Sequence, residues 1–163
     1  MSPSGPPGKT VSYSRTELAE LMMPRNANIL GKVFGGTVLS LIDKAAGTAA
    51  IRHAGKTCVT AQIDRVTFRQ PIDIGEMVRF VAEVTYVGTT SLEVGVRVLA
   101  LDLRTGAERL TNTCHVTMVC LGDDGKPQAI PPLILETDAE RAAFAGAERR
   151  MQERRTRRQR QSP

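Results

Sequence analysis

The stretch NILGKVFGGTVLSLIDKAAG, Asn28 to Gly47, sets one carboxylate in the middle of an apolar run. Gly31, Gly35, Gly36 and Gly47 punctuate the run, and Asp43 is its only acid. From Thr37 to His53 the residues Val38, Ile42, Ala45 and Ala49 recur at helical spacing, and Leu41 broadens their stripe. Gly55 follows as a stop signal. The spacing therefore predicts a helix. Residues four and seven apart share a helix face. Counted from Gly36, that face carries Gly36, Ser40, Asp43, Gly47 and Ala50. Every neighbour of Asp43 on it is small, whereas the opposite face is bulky and suited to a core.

Strands follow. TCVTAQIDRVTFRQP alternates at Val59, Ala61 and Ile63, then changes phase to Val66 and Phe68. That change predicts a bulge near Asp64–Arg65. EMVRFVAEVTYV alternates at Val78, Phe80, Ala82, Val84 and Tyr86, and LEVGVRVLAL at Leu92, Val94, Val96 and Val98. RLTNTCHVTMVCL alternates at Leu110, Cys114, Val116, Met118 and Cys120. The turns GTTS and DLRTGAE separate the last three. Short links between alternating strands predict an antiparallel meander. The early helix must bury its stripe, and the sheet is the available face. The expectation is an α+β domain with a sheet curled over a helix.

The flanks are polar. Residues 1–10 are rich in Pro, Gly and Ser and read as disordered. VSYSRTELAELMM (11–23) fits either a short strand or a helical turn, ended by Pro24. RNANILGKVFGG reads as a loop. The domain is expected over 11–135. A polar helix over about 138–160 is expected to fray into a solvated basic tail.

That tail explains the net charge of +5. Residues 149–163 hold seven Arg and one Glu, which leaves fifteen basic against sixteen acidic side chains in the rest. The domain itself is near neutral. With aromatics at 4% and no Trp, base stacking has little to work with, so no nucleic-acid partner is expected. No apolar run is long enough to span a membrane, and the N-terminus lacks a signal core. Cys58, Cys114 and Cys120 form no CxxC and are odd in number, as for reduced structural thiols in a cytoplasmic protein. No HxxxH or clustered acids suggest a metal site. His53 and His115 are not placed for a nucleophilic triad and read as structural.

Asp43 then has two readings. It is a solvent-facing acid on a closely packed small face, or an acid in a ligand cleft with room for substrate. The Gly35–Gly36 pair supports the cleft. Glycines at a helix start let backbone N–H groups approach a ligand, and the positive end of the helix dipole polarises a carbonyl oxygen there. A donor site and a carboxylate two turns on are parts for acyl-group hydrolysis.

The order of motifs carries a resemblance. Asn26 to Gly36 (NANxxGxxFGG), then Asp43, VTFRQPI with Gly75–Glu76, and GTTS (Gly88 to Ser91) resemble the hotdog-fold acyl-CoA thioesterases. The nearest subgroup is the YciA-like enzymes and cytosolic acyl-CoA hydrolases, and the match covers about residues 18–132. The resemblance implies an antiparallel sheet wrapped around a central helix. It also implies a homodimer with active sites at its interface, commonly assembled as a trimer of dimers. Asp43 matches the catalytic acid, as general base or nucleophile, and Asn28 the asparagine supplied by the other subunit. Gly36, with Gly35, matches the oxyanion-hole backbone. Gly88, Thr89, Thr90 and Ser91 match the turn near the CoA moiety. Arg69 follows the pattern less strictly, and Phe68, with Phe34 and Val66, is a candidate acyl-tunnel residue. No cofactor is implied, because coenzyme A belongs to the substrate.

Three rivals remain. A lyase on the same fold usually needs a catalytic His before the helix, which this chain lacks. A non-catalytic acyl-CoA-binding regulator would not require Asp43. An RNA-binding protein would work through the tail.

Overall fold

The computed structural model describes residues 5–161. The elements run β1 (Lys9–Thr10), α1 (Val11–Ser14), β2 (Thr16–Leu21), α2 (Gly35–Ala54), β3 (Thr57–Asp64), β4 (Met77–Val87), β5 (Ser91–Leu101), β6 (Glu108–Leu121), β7 (Leu133–Ile134) and α3 (Asp138–Gln161). A short 3-10 turn, Pro24–Asn26, precedes α2. The ambiguous segment 11–23 holds both forms, a helical turn and then an edge strand. Of the N-terminal stretch, residues 1–4 lie outside the described residues. Lys9–Thr10 pairs in parallel with Leu133–Ile134.

The central helix α2 is set by its stripe. Val38, Leu41, Ile42, Ala45 and Ala49 are all buried, as the periodicity predicts. It ends where Gly55 turns left-handed, with φ of +68°, and returns its N–H to Ile51 O at 2.8 Å. A residue with Cβ is strained in that conformation, which is why glycine stops the helix.

Five antiparallel strands curl over α2 in the order β2-β4-β5-β6-β3. Only β4, β5 and β6 form the expected meander. β3 crosses over to pair with β6 and becomes one edge, while β2 forms the other. Local alternation does not encode this, because the 65–76 connection is long enough to carry the chain across. The inward residues Phe80, Val84, Leu92, Val94, Val98 and Val116 are all fully buried against the helix. Burial of such side chains stabilises the fold by about 1.5–3 kcal/mol each.

Three bulges shift the phase. In β4 the register slips between Val84 and Tyr86, so Thr85 is the extra residue, and Tyr86 leaves the alternation expected of it to meet Phe144 of α3. In β3 the register slips between Thr60 and Gln62, so Ala61 is the extra residue. The bulge is thus three residues before the predicted Asp64–Arg65, where the strand simply ends and Arg65 takes φ of +47°. Cys58, Thr60 and Ile63 lie opposite the core residues Cys120, Met118 and Val116. Val59 therefore turns outward and is 43% exposed. In β6 a slip beside Val98–Leu99 leaves Thr111 extra, so Thr111 is buried while Leu110 faces out.

The C-terminal helix is not a solvated tail. Phe144 stacks on Tyr86 with ring centroids 5.0 Å apart, and Ala147 is fully buried. Beneath them Glu93, fully buried on the outer sheet face, receives both Nε and Nη2 of Arg150 at 3.1 and 2.7 Å. Arg154 pairs with Asp64 and lies 3.4 Å from Glu93. Arginine spacing along α3 thus serves docking through a buried acid, a partner that the α3 sequence does not reveal. The helix stays regular to Gln161 rather than fraying.

Candidate active site

Asp43 sits exposed on the small face of α2 and accepts a hydrogen bond from Thr60 Oγ1 at 2.5 Å. Thr60 reaches it because the residues before the β3 bulge present even-numbered side chains to the helix. Sequence reading missed Thr60. The apolar alternation of Val59, Ala61 and Ile63 hid it, since a polar residue between them reads as solvent-facing. The signal available was the neighbouring Cys58, whose phase it shares.

The helix start supplies donors. Phe34 caps α2 with its carbonyl, which takes Thr37 N at 3.0 Å and Val38 N at 3.4 Å. The N–H groups of Gly35 and Gly36 have no partner among the described residues. Two aromatic rings lie against these glycines. A Cβ on Gly35 would sit 3.3 Å from Phe68 Cζ, and one on Gly36 would clash with Phe34 Cε1. Both rings are half exposed, so they form an apolar wall open to an incoming chain.

Phe68 is held there from β6. Asn112 Nδ2 donates to Thr67 O at 2.8 Å, and Arg69 N donates to Thr111 O at 3.4 Å. Further along, Arg109 pairs with Glu76 and donates to Pro71 O at 2.8 Å. The Arg109 guanidinium holds the Glu76 carboxyl below its ordinary pKa, against the opposing effect of burial. Gly75, with φ of +93°, turns the chain into that pair. The Arg69 side chain is exposed and makes no hydrogen bond or ion pair among the described residues.

Asn28 lies on a projecting loop before α2. Its Oδ1 accepts Leu30 N at 2.9 Å and Lys32 N at 3.2 Å, and Phe34 N bonds back to Asn26 O at 2.7 Å. At the loop tip Ile29 is 101% exposed and Leu30 80%. No bond joins Asn28 to Asp43 within this chain among the described residues. The structure thus brings together Gly35, Gly36 and Phe68, and separately Asp43 and Thr60.

The turn Gly88–Ser91 closes through Gly88 N to Ser91 O at 2.8 Å. Thr90 O accepts Cys120 N at 2.9 Å, and Thr89 O accepts Ile130 N at 3.0 Å, so the turn is anchored on both sides.

Other polar groups have structural partners. His53 is buried with Nε2 2.9 Å from Pro131 O, and His115 Nδ1 is 3.2 Å from Glu93. Cys58, Cys114 and Cys120 are free and buried, and burial pushes the Cys58 thiol up to about 12 and Cys114 to about 11. Such thiols are poor nucleophiles. Among the described residues no set of three His, Cys, Asp or Glu could hold a metal ion, and no helix is long and apolar enough to cross a membrane.

A model of the thioesterase superfamily matches residues 30–107. The YkhA protein of Bacillus subtilis, described as an uncharacterised acyl-CoA thioester hydrolase, is 38% identical over 136 residues, covering 83% of this chain and 79% of its own. This chain belongs to the thioesterase superfamily. Among solved structures, the acyl-CoA hydrolase of Staphylococcus aureus in complex with butyryl coenzyme A and coenzyme A is 36% identical, with a TM-score of 0.87 over 93% of each chain. An apo hexameric acyl-CoA thioesterase is 37% identical, with a TM-score of 0.89 over 93% of this chain and 97% of that one. These similarities make the curled sheet around α2 a hotdog fold. The S. aureus enzyme has also been solved as three alanine variants. The residues replaced have the type and number of Asn28, Asp43 and Thr60 here.

Proposed function

We propose that this protein hydrolyses acyl-CoA thioesters to free coenzyme A and a carboxylic acid, with Asp43 as the acid of the site. The observation that carries this reading is Asp43 fixed by Thr60 on a face of small residues. It lies on the same helix as the unpartnered N–H groups of Gly35 and Gly36. The N–H groups would hold the thioester carbonyl oxygen as negative charge develops on it. Asp43 would take the proton of an attacking water, or attack directly. On the water route a C–O bond forms, the C–S bond breaks, and the coenzyme A thiolate leaves and takes up that proton. On the direct route the acyl group passes to Asp43 as an anhydride, coenzyme A leaves, and water then opens the anhydride to free the carboxylic acid. The rings of Phe34 and Phe68 would shelter the acyl chain, and the turn Gly88–Ser91, with Arg69, would meet the CoA moiety.

Geometry argues for a site shared between subunits. Gly36 and Asp43 are seven residues apart, about 10 Å along one helix. Helix-start N–H groups point away from the helix body, so a carbonyl held there lies further still from that chain's Asp43. Attack needs reacting atoms at about 3–3.5 Å. The helix start and Asn28 of one chain would therefore meet Asp43 of a second copy. The open edge of β3 and the bare Ile29–Leu30 tip offer surface for that contact. A homodimer is the minimum unit, and a trimer of dimers matches the hexameric relative. The odd cysteine count suits a cytoplasmic location.

Mixing tests the sharing. Asn28→Ala and Asp43→Ala protomers, each weak alone, should regain activity in mixed dimers, because one of the two sites is then intact. No recovery in dimers verified by mass would count against it. Thr60→Ala is expected to lower kcat about tenfold by freeing the carboxylate, with Thr60→Ser close to wild type. Equal kcat in all three proteins would remove Thr60 from the site.

A further inference from the structure

A groove of about 320 Å³ opens where α3 crosses the outer face of the sheet. Gln62, Thr90 and Ser91 line one side, and Arg154, Arg155 and Arg158 the other. Among the described residues no acidic side chain lines it. Arg154 is already engaged with Asp64 and Glu93. Arg155 is exposed and makes no hydrogen bond or ion pair among the described residues, and the same holds for the hydroxyls of Thr90 and Ser91. The groove therefore offers positive charge and hydroxyl groups facing each other. Guanidinium forks and hydroxyls are the donors that phosphate oxygens take. The groove also adjoins the proposed reacting centre, because Gln62 is two residues along β3 from Thr60, which holds Asp43.

We infer that this groove binds the phosphate-bearing nucleotide end of the acyl-CoA substrate, with Arg155 and Arg158 as its cations. The inference rests on the proposed hydrolysis and extends it to the C-terminal helix. The turn Gly88–Ser91 becomes one half of a phosphate site, and α3 supplies the other half. The docking of α3 through Glu93 then has a purpose beyond packing, because it sets the next turn of arginines above Thr90 and Ser91.

The test compares an acyl-CoA with the matching acyl-pantetheine, which keeps the thioester and lacks the nucleotide. In the double variant Arg155→Gln/Arg158→Gln, KM for acyl-CoA should rise about tenfold, and KM for acyl-pantetheine by less than about twofold. The acyl-CoA KM of the parent protein should also climb with salt, and that slope should flatten in the variant. Equal changes for both substrates, or no change for either, would overturn the groove. Calorimetric titration with free coenzyme A repeats the comparison without turnover. A Kd about tenfold weaker in the variant supports the groove, and an unchanged Kd overturns it. Loss of coenzyme A binding in the variant, with no hydrolysis by the parent protein, would keep the groove and overturn the hydrolase reading alone. Binding of ADP that depends on both arginines, with coenzyme A affinity unaffected, would make this a free-nucleotide site and also overturn the inference.

Discussion

Asp43→Ala will lower kcat for acyl-CoA hydrolysis by about a thousandfold, the scale of a lost general base or nucleophile. The fold should survive the change. Asp43 is exposed, its side chain's one hydrogen bond among the described residues is to Thr60, and alanine is the better helix former at that position. Thermal unfolding should therefore match the parent protein while release of coenzyme A nearly stops. Asp43→Asn sharpens the test, because it keeps the shape and can still accept from Thr60 but neither attacks nor takes a proton. Turnover within tenfold of the parent in both variants would sink the role of this residue. A large loss of thermal stability in Asp43→Ala would instead return it to a structural acid.

The largest effect on stability is expected at Glu93. Its carboxylate has no exposed surface and is held by Arg150, with Arg154, His115 and the Thr85 hydroxyl around it. Glu93→Gln keeps the volume but leaves the partly buried Arg150 guanidinium without a counter-charge, while Arg154 keeps Asp64. Breaking one side of such a cluster costs about 3 kcal/mol, read as a shift in the denaturant midpoint. The pH dependence has a definite sign. Burial pushes the Glu93 carboxyl up, but His115 and Arg150 outweigh it and hold the pKa down at about 2, below its ordinary 4.5. A carboxyl depressed in the folded state adds stability that is complete above pH 4.5 and is lost as pH falls toward 2. The parent protein should lose stability through that window more steeply than Glu93→Gln. Parallel curves would show that the cluster is not coupled to folding. Arg150→Gln should cost a similar amount, and the double variant less than the sum.

The fold was legible where periodicity and punctuation agreed. Val38, Ile42, Ala45 and Ala49 mark a helix that Gly55 must end, and β4 alternates from Val78 to Val84, up to the bulge at Thr85. Strand order was not legible, because β3 alternates the same way whichever neighbour it takes. Thr60 stayed hidden because a one-residue bulge at Ala61 reassigns the phase of the residues after it. The motif order from Asn26 to Ser91 pointed to the thioesterases, and Asp43, Gly35 and Gly36 stand where a helix face and a helix start put them. What the chain alone leaves apart is the Asn28 loop and Asp43. Nor could the docking of α3 be read, since it depends on Glu93, an acid near the start of an apolar strand and 57 residues from Arg150.

The wiring of the Asn28 amide has a last consequence for proton traffic. Its carbonyl oxygen is fully engaged by the N–H groups of Leu30 and Lys32, so only the NH₂ end faces outward. From the Asn28 side chain a substrate can accept a hydrogen bond but has no oxygen to donate one to. The Thr60 hydroxyl likewise donates toward Asp43. In the proposed reaction, a proton leaving the attacking water thus has a single outlet, the Asp43 carboxylate oxygen that Thr60 leaves free. An aspartate in place of Asn28 would keep the loop closed yet reverse the polarity it presents, turning a donor into a second acceptor.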